Sequence, residues 1–203
     1  SSMPTTEVGV LIEDLRSNIL NRRDFFIKTD KETIRASRAR EDILEAGFLY
    51  HKITKKAGPL EIEILNFVPY DAAVEITRVT VRNKGAQPIK ITPTSFIPLY
   101  GRSEKCLRDH RHVTSLLNRI YLDTYGIVLK PTMVFDERGH KANEDMYYVR
   151  GFEGQKTAPL GQFPTLDYFF GESDSTHPDA IEKKVKQVSQ KLPEFDGKEA
   201  CAA

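Results

Sequence analysis

The chain has 203 residues, of which 39% are hydrophobic and 29% charged. At a typical domain size of roughly 150 residues this allows one domain and a little more, with enough apolar material for a packed core. Thirty basic against twenty-nine acidic residues leave a net charge of +1, which excludes a global electrostatic affinity for nucleic acid or anionic membrane, though not a local patch.

The first segment has two readings. Leu11, Ile12, Leu15, Ile19 and Leu20 fall at helical spacing, yet an extended arm ending in Phe25-Phe26-Ile27 fits as well. Residues 28–45 are highly charged and read as exposed. From residue 46 the pattern turns to strand. Residues 48–53 are a first candidate. Leu60, Ile62 and Ile64 then alternate with Glu61 and Glu63, the period of two that a half-buried strand requires. Pro69-Tyr70-Asp71 marks a turn. Val74 and Ile76 share one parity and Val79 and Val81 the other, so either a bulge lies near Thr77-Arg78 or the strand is buried on both faces. Asn83-Lys84-Gly85 is a turn. Ile89, Ile91, Ile97 and Leu99 share a parity over a long strand that Pro93 and Pro98 place at an edge or a bend.

Asp109 then suits the cap of a short helix over 110–117. Strand signals return at 120–129, 133–135 and 146–149, with a turn at Asp136-Glu137-Arg138-Gly139. Phe169-Phe170-Gly171 closes another strand. Pro178 suits a first helical position, and Ile181, Val185, Val188 and Leu192 mark one face of a helix of about three turns. Strands with turns between them predict an antiparallel β-sandwich. Neither βαβ alternation nor a glycine-rich phosphate loop is present, which disfavours a nucleotide-binding α/β fold.

The site candidates are few. His110-Arg111-His112 followed by Arg119 is the densest polar cluster. Histidines at i and i+2 do not share a helix face, so no metal site is expected there. The cluster reads either as a hydrogen-bonding loop that meets a polar ligand or as a solvated helix start. Asp136-Glu137 and Glu144-Asp145 are carboxylate pairs, but adjacent residues in a turn point apart, and acid–base work needs them to converge. Ser95, Ser103 and Ser115 lack a nucleophile-elbow context. Lys183, Lys184 and Lys186 read as the wet face of the last helix. Cys106 and Cys201 are far apart and read as unlinked thiols in a reducing compartment, which places the protein in the cytoplasm. Ser1-Ser2-Met3 reads as a tag remnant with no signal peptide after it. No apolar run approaches the roughly 20 residues of a membrane span. From the residues alone, no catalytic constellation stands out.

Asn66-Phe67-Val68-Pro69, followed by the run from Ala73 to Asn83, resembles the N-terminal β-supersandwich of family-94 glycoside phosphorylases, formerly glycosyltransferase family 36, which includes cellobiose and chitobiose phosphorylases. The run from Asp109 to Arg119, Phe169-Phe170-Gly171-Glu172 and Pro178-Asp179-Ala180 follow in the family's order. The resemblance extends from about residue 46 to 200. It implies a mainly β, galactose-mutarotase-like antiparallel supersandwich with one or two short helices, incomplete in this chain. On this reading 1–45 form an N-terminal arm and 46–203 the sandwich, with the catalytic (α/α)6 barrel absent.

The family's reaction is inverting phosphorolysis of a β-linked disaccharide, in which inorganic phosphate takes the place of water and general base. The acid and most of the phosphate site belong to the barrel, so the resemblance transfers no catalytic residue and this chain alone is expected to be inactive. It implies no cofactor, with phosphate as co-substrate of the intact enzyme. One position carries over. A loop after the long strand supplies an arginine near the leaving-sugar subsite, and Arg111 falls in that place, flanked by His110 and His112. These three are the expected substrate-binding residues. A planar guanidinium can bond adjacent sugar hydroxyls in a bidentate way. The implied partners are a β-linked disaccharide or sugar, the C-terminal barrel domain and a second copy in a homodimer, with no nucleic acid and no membrane. A stand-alone sugar-binding or oligomerisation module, or a module of a cyclic β-glucan synthase, is the alternative.

Overall fold

The computed structural model describes residues 23–37, 43–99, 115–136, 139–183, 186–188 and 191–203. The chain divides into two compact units, Asp24–Ser95 and a second that includes Phe96–Ala203.

In the first unit, β1 (Asp24–Lys28) and β2 (Thr33–Arg35) form an antiparallel pair. Asp24 is buried at its start and accepts from the Arg35 guanidinium and the Ser37 hydroxyl. A four-stranded meander follows: β3 (Ile43–Gly47), β4 (Tyr50–Ala57), β5 (Leu60–Phe67) and β6 (Ile76–Asn83), antiparallel throughout. The alternation read at Leu60, Ile62 and Ile64 does its expected work. These three side chains are buried with Ile27, Ile34 and Ala36, and Ile53, Val79, Val81, Ile89 and Ile91 pack on them. The opposite face carries ion pairs, Lys52–Glu45 at 2.7 Å and Arg82–Glu61 at 3.4 Å. Exposed pairs of this kind add little stability.

Strand β7 (Thr92–Leu99) crosses the unit boundary. In the second unit its end pairs with β13 (Ala200–Ala202), with Ala200 opposite Leu99. Strands β8 (Asn118–Leu122), β9 (Gly126–Pro131) and β12 (Tyr147–Arg150) form an antiparallel sheet with β9 at its centre. Strands β10 (Met133–Asp136) and β11 (Gly139–Ala142) form a hairpin. Ile120, Ile127, Leu129, Leu99, Phe195, Ala200 and Ala202 make the core, against which Leu122, Tyr147 and Val149 pack. Helices α1 (Leu166–Phe170) and α2 (Asp179–Glu182) are one turn each. Phe169 of α1 stacks on Phe96, with ring centroids 4.9 Å apart. The mainly antiparallel β class is therefore as expected.

Five local readings are corrected. Residues 28–45 are not uniformly exposed, because Ile34 and Ala36 join the core. The strand expected over 48–53 is β4 from Tyr50 on, but Phe48-Leu49 form the hairpin tip, where Leu49 turns the chain with φ +62°. No bulge interrupts β6: its register with β5 is continuous from Ile76 to Asn83. The parity shift arises because Val74 precedes the strand and Ile76 lies on its outer face. Phe169-Phe170 belong to α1, not to a strand. The three-turn helix after Pro178 stops at Glu182, because Lys183 is already extended and Val188 exchanges both backbone hydrogen bonds with Gln162, at 3.0 and 3.1 Å. Tertiary pairing there overrides a weak local helix pattern. Of the helix expected over 110–117, only 115–117 are described: Ser115 is helical and Leu116-Leu117 turn into β8.

Candidate functional site

His110, Arg111 and His112 lie outside the described residues. The structure describes the point where their segment rejoins the fold. Ser115 is buried there, and Asn118, the first residue of β8, is nearly enclosed. Asn118 holds the β8 start on both sides. Its Nδ2 donates to the Lys198 carbonyl at 3.0 Å, and its own carbonyl accepts from the Gly197 amide at 3.0 Å. One residue pair further on, the Ile120 amide donates to Asp196 Oδ1 at 3.0 Å. The turn at 196–198 thus clamps the strand that carries the segment.

A second set of polar groups meets the Leu117 carbonyl, which accepts from both the amide and the hydroxyl of Thr132, at 3.0 and 3.2 Å. The Thr132 carbonyl in turn accepts from the Asn143 amide at 3.1 Å. The Asn143 side chain is buried; its Oδ1 accepts from the Asp145 amide at 2.9 Å, and its Nδ2 has no partner among the described residues. A buried donor without an acceptor costs stability unless something occupies it. Arg119 bends its guanidinium back onto the carbonyls of Leu116 and Asn118, at 3.4 and 2.8 Å. It braces the turn into β8.

The polar groups of this rim bond one another and the backbone, with the Arg119 cation beside them. Among the described residues no carboxylates converge there. Glu144 and Asp145 are exposed in the link between β11 and β12, where Asp145 completes an Asn143 turn. Among the described residues no group of three or more histidine, cysteine, aspartate or glutamate side chains is arranged to hold a metal ion. Asn118, Thr132 and Asn143 were not singled out from the sequence. Asn143, followed by two acids before the next strand, carries the turn signature that could have flagged it.

The motif ending in Pro178-Asp179-Ala180 forms a second polar cluster, and its role is structural. Buried Asp179 accepts from the Lys183 ammonium at 2.7 Å, the Ser173 hydroxyl at 2.5 Å and the Glu172 amide at 3.3 Å. The Lys183 contact, then the Ser173 bond, hold its carboxyl below the usual range. Asp123 plays the same part at the β8–β9 turn. Burial works to raise its pKa, but the Tyr125 amide, the Arg150 guanidinium and the Gly126 amide outweigh it, so the net shift is downward.

Antiparallel sheets with short helices define a mainly β, sandwich-class domain. The chain matches the family model for the glycosyl hydrolase 94 supersandwich domain over residues 33–187, and it belongs to that family. No curated protein matches this chain.

Proposed function

We propose that this chain is the non-catalytic, carbohydrate-binding and assembly domain of a glycoside phosphorylase that cleaves a β-linked disaccharide with inorganic phosphate by inversion. Membership of the family-94 supersandwich over residues 33–187 carries the reading. Arg111 is the residue proposed to contact the sugar, with His110 and His112 beside it. The acid and the phosphate site belong to a partner barrel domain. A cytoplasmic setting fits the free, buried thiol of Cys201. A homodimer is the proposed assembly.

The test is direct. The purified chain incubated with cellobiose, other β-linked disaccharides and phosphate is expected to consume no phosphate, and turnover would overturn the assignment. Titration calorimetry with the same sugars is expected to give heat that Arg111→Ala reduces about tenfold, the usual weight of a charge-assisted bidentate contact. Absence of heat with every sugar would remove the binding role. Light scattering reads the dimer, and a monomer at high concentration would remove that part.

A further inference from the structure

The outer face of the β8–β9–β12 sheet carries a built surface that meets the rim at Arg119. Along β8 and β12 the core residues Ile120, Leu122, Tyr147 and Val149 alternate with Tyr121 and Tyr148. Both tyrosines stand directly opposite Val128 of the central strand, one on each side. They therefore share the outer face, two strand spacings apart, about 9.5 Å.

Each ring is held by the same device. The Lys191 ammonium sits over the Tyr121 ring, 4.1 Å from its centroid, and is itself fixed by Asp196 at 3.0 Å. The Arg150 guanidinium sits over the Tyr148 ring, 5.5 Å from its centroid, and is fixed by Asp123. A cation over a ring is attracted by the ring's negative face and orients it. The tyrosines nevertheless stay 43% and 52% exposed, so the cations set the rings without covering them.

One row further along the same face, Arg119 stands directly opposite Lys130. Like charges in cross-strand register repel. Among the described residues Arg119 bonds only backbone carbonyls, Lys130 is exposed, and no carboxylate neutralises this pair. The face thus has a cationic row at Arg119 and Lys130, and beside it a tyrosine row where each cation already has its own carboxylate.

We propose that this face binds an acidic oligosaccharide: its sugar rings stack on Tyr121 and Tyr148, its carboxylate lies between Arg119 and Lys130, and its hydroxyls meet Asp123 and Asp196. The charge pattern selects this partner over single-stranded nucleic acid. A strand with a phosphate at every unit would also bring negative charge to Asp123 and Asp196. A glycan with one carboxylate per disaccharide brings only hydroxyls there.

The probes are a tetrasaccharide alternating glucuronate with N-acetylglucosamine, its carboxyl-reduced form, and a short oligouridylate, each titrated into the full 203-residue chain. The acidic tetrasaccharide is expected to bind saturably. The reduced form should bind about tenfold more weakly, as loss of a charge-assisted contact dictates. Tyr121→Ala and Tyr148→Ala should each weaken binding about tenfold, the scale of one lost ring stack. Lys130→Ala should weaken it and flatten its salt dependence. Tyr70→Ala, on an exposed residue of the other unit, should leave it unchanged. Circular dichroism separates misfolded variants from weakened ones, because both tyrosines are replaceable at the surface. No binding, equal affinity for the reduced sugar, tighter binding of oligouridylate, or tyrosine variants that bind as well as the parent would each overturn the proposal.

Discussion

Single residues carry much of the second unit's local order. Gly171 ends α1 with φ +62°, and a Cβ there would lie 2.4 Å from Asp179 Oδ2. Only glycine accepts both the backbone conformation and the contact. Gly171→Ala is expected to destabilise the chain by about 1–3 kcal/mol in urea unfolding. The pH dependence follows from the carboxylates. Asp179, Asp174, Asp123 and Asp167 all lie below their ordinary pKa. A depressed folded pKa gives stability that is fully present above the unfolded value, near about 4, and is lost as pH falls through the folded value. The melting temperature should therefore drop in acid below about pH 4. Asp179→Asn should lower it at neutral pH and shrink that drop; a variant that shows the parent's acid profile would contradict the linkage.

Elements add what no residue has alone. His51, Asn66 and Thr77 stand in direct register across β4, β5 and β6. The Thr77 hydroxyl donates to Asn66 Oδ1 at 2.6 Å, and Asn66 Nδ2 meets His51 Nε2 at 2.9 Å. Asn66 is buried, so this polar row lies on the face that elsewhere packs Ile62 and Ile64. Buried polar groups hold their geometry only while each has a partner. Asn66→Ala should cost about 1–3 kcal/mol in chemical denaturation, because it removes both hydrogen bonds of a buried amide at once. Thr77→Val in the same background should then cost less than it does alone. Additive costs would show that the row is not a unit.

At the scale of the whole molecule, each unit has its own core. Ile62 is fully buried in the first and Ile120 in the second. Truncating either to alanine should cost about 2–5 kcal/mol. Hydrogen exchange should rise first in β3–β6 for Ile62→Ala and in β8, β9 and β12 for Ile120→Ala. Identical exchange patterns would mean that the two cores unfold as one.

The sequence by itself determined the class of fold and the family. Alternation at Leu60, Ile62 and Ile64 is a local property of a half-buried strand, and the motif order survives as a string. What it left open was decided at a distance. The end of α2 is set by Val188 pairing with Gln162, and the Leu49 turn by β3 meeting β4. The rim of Asn118, Thr132 and Asn143 joins residues from separate strands and turns, and the Tyr121–Tyr148 face needs the register of β8 and β12 on β9. Period two tells which side of a strand a tyrosine takes. Only strand pairing tells which other tyrosine it stands beside, because hydrogen-bonded register is fixed by partners far along the chain.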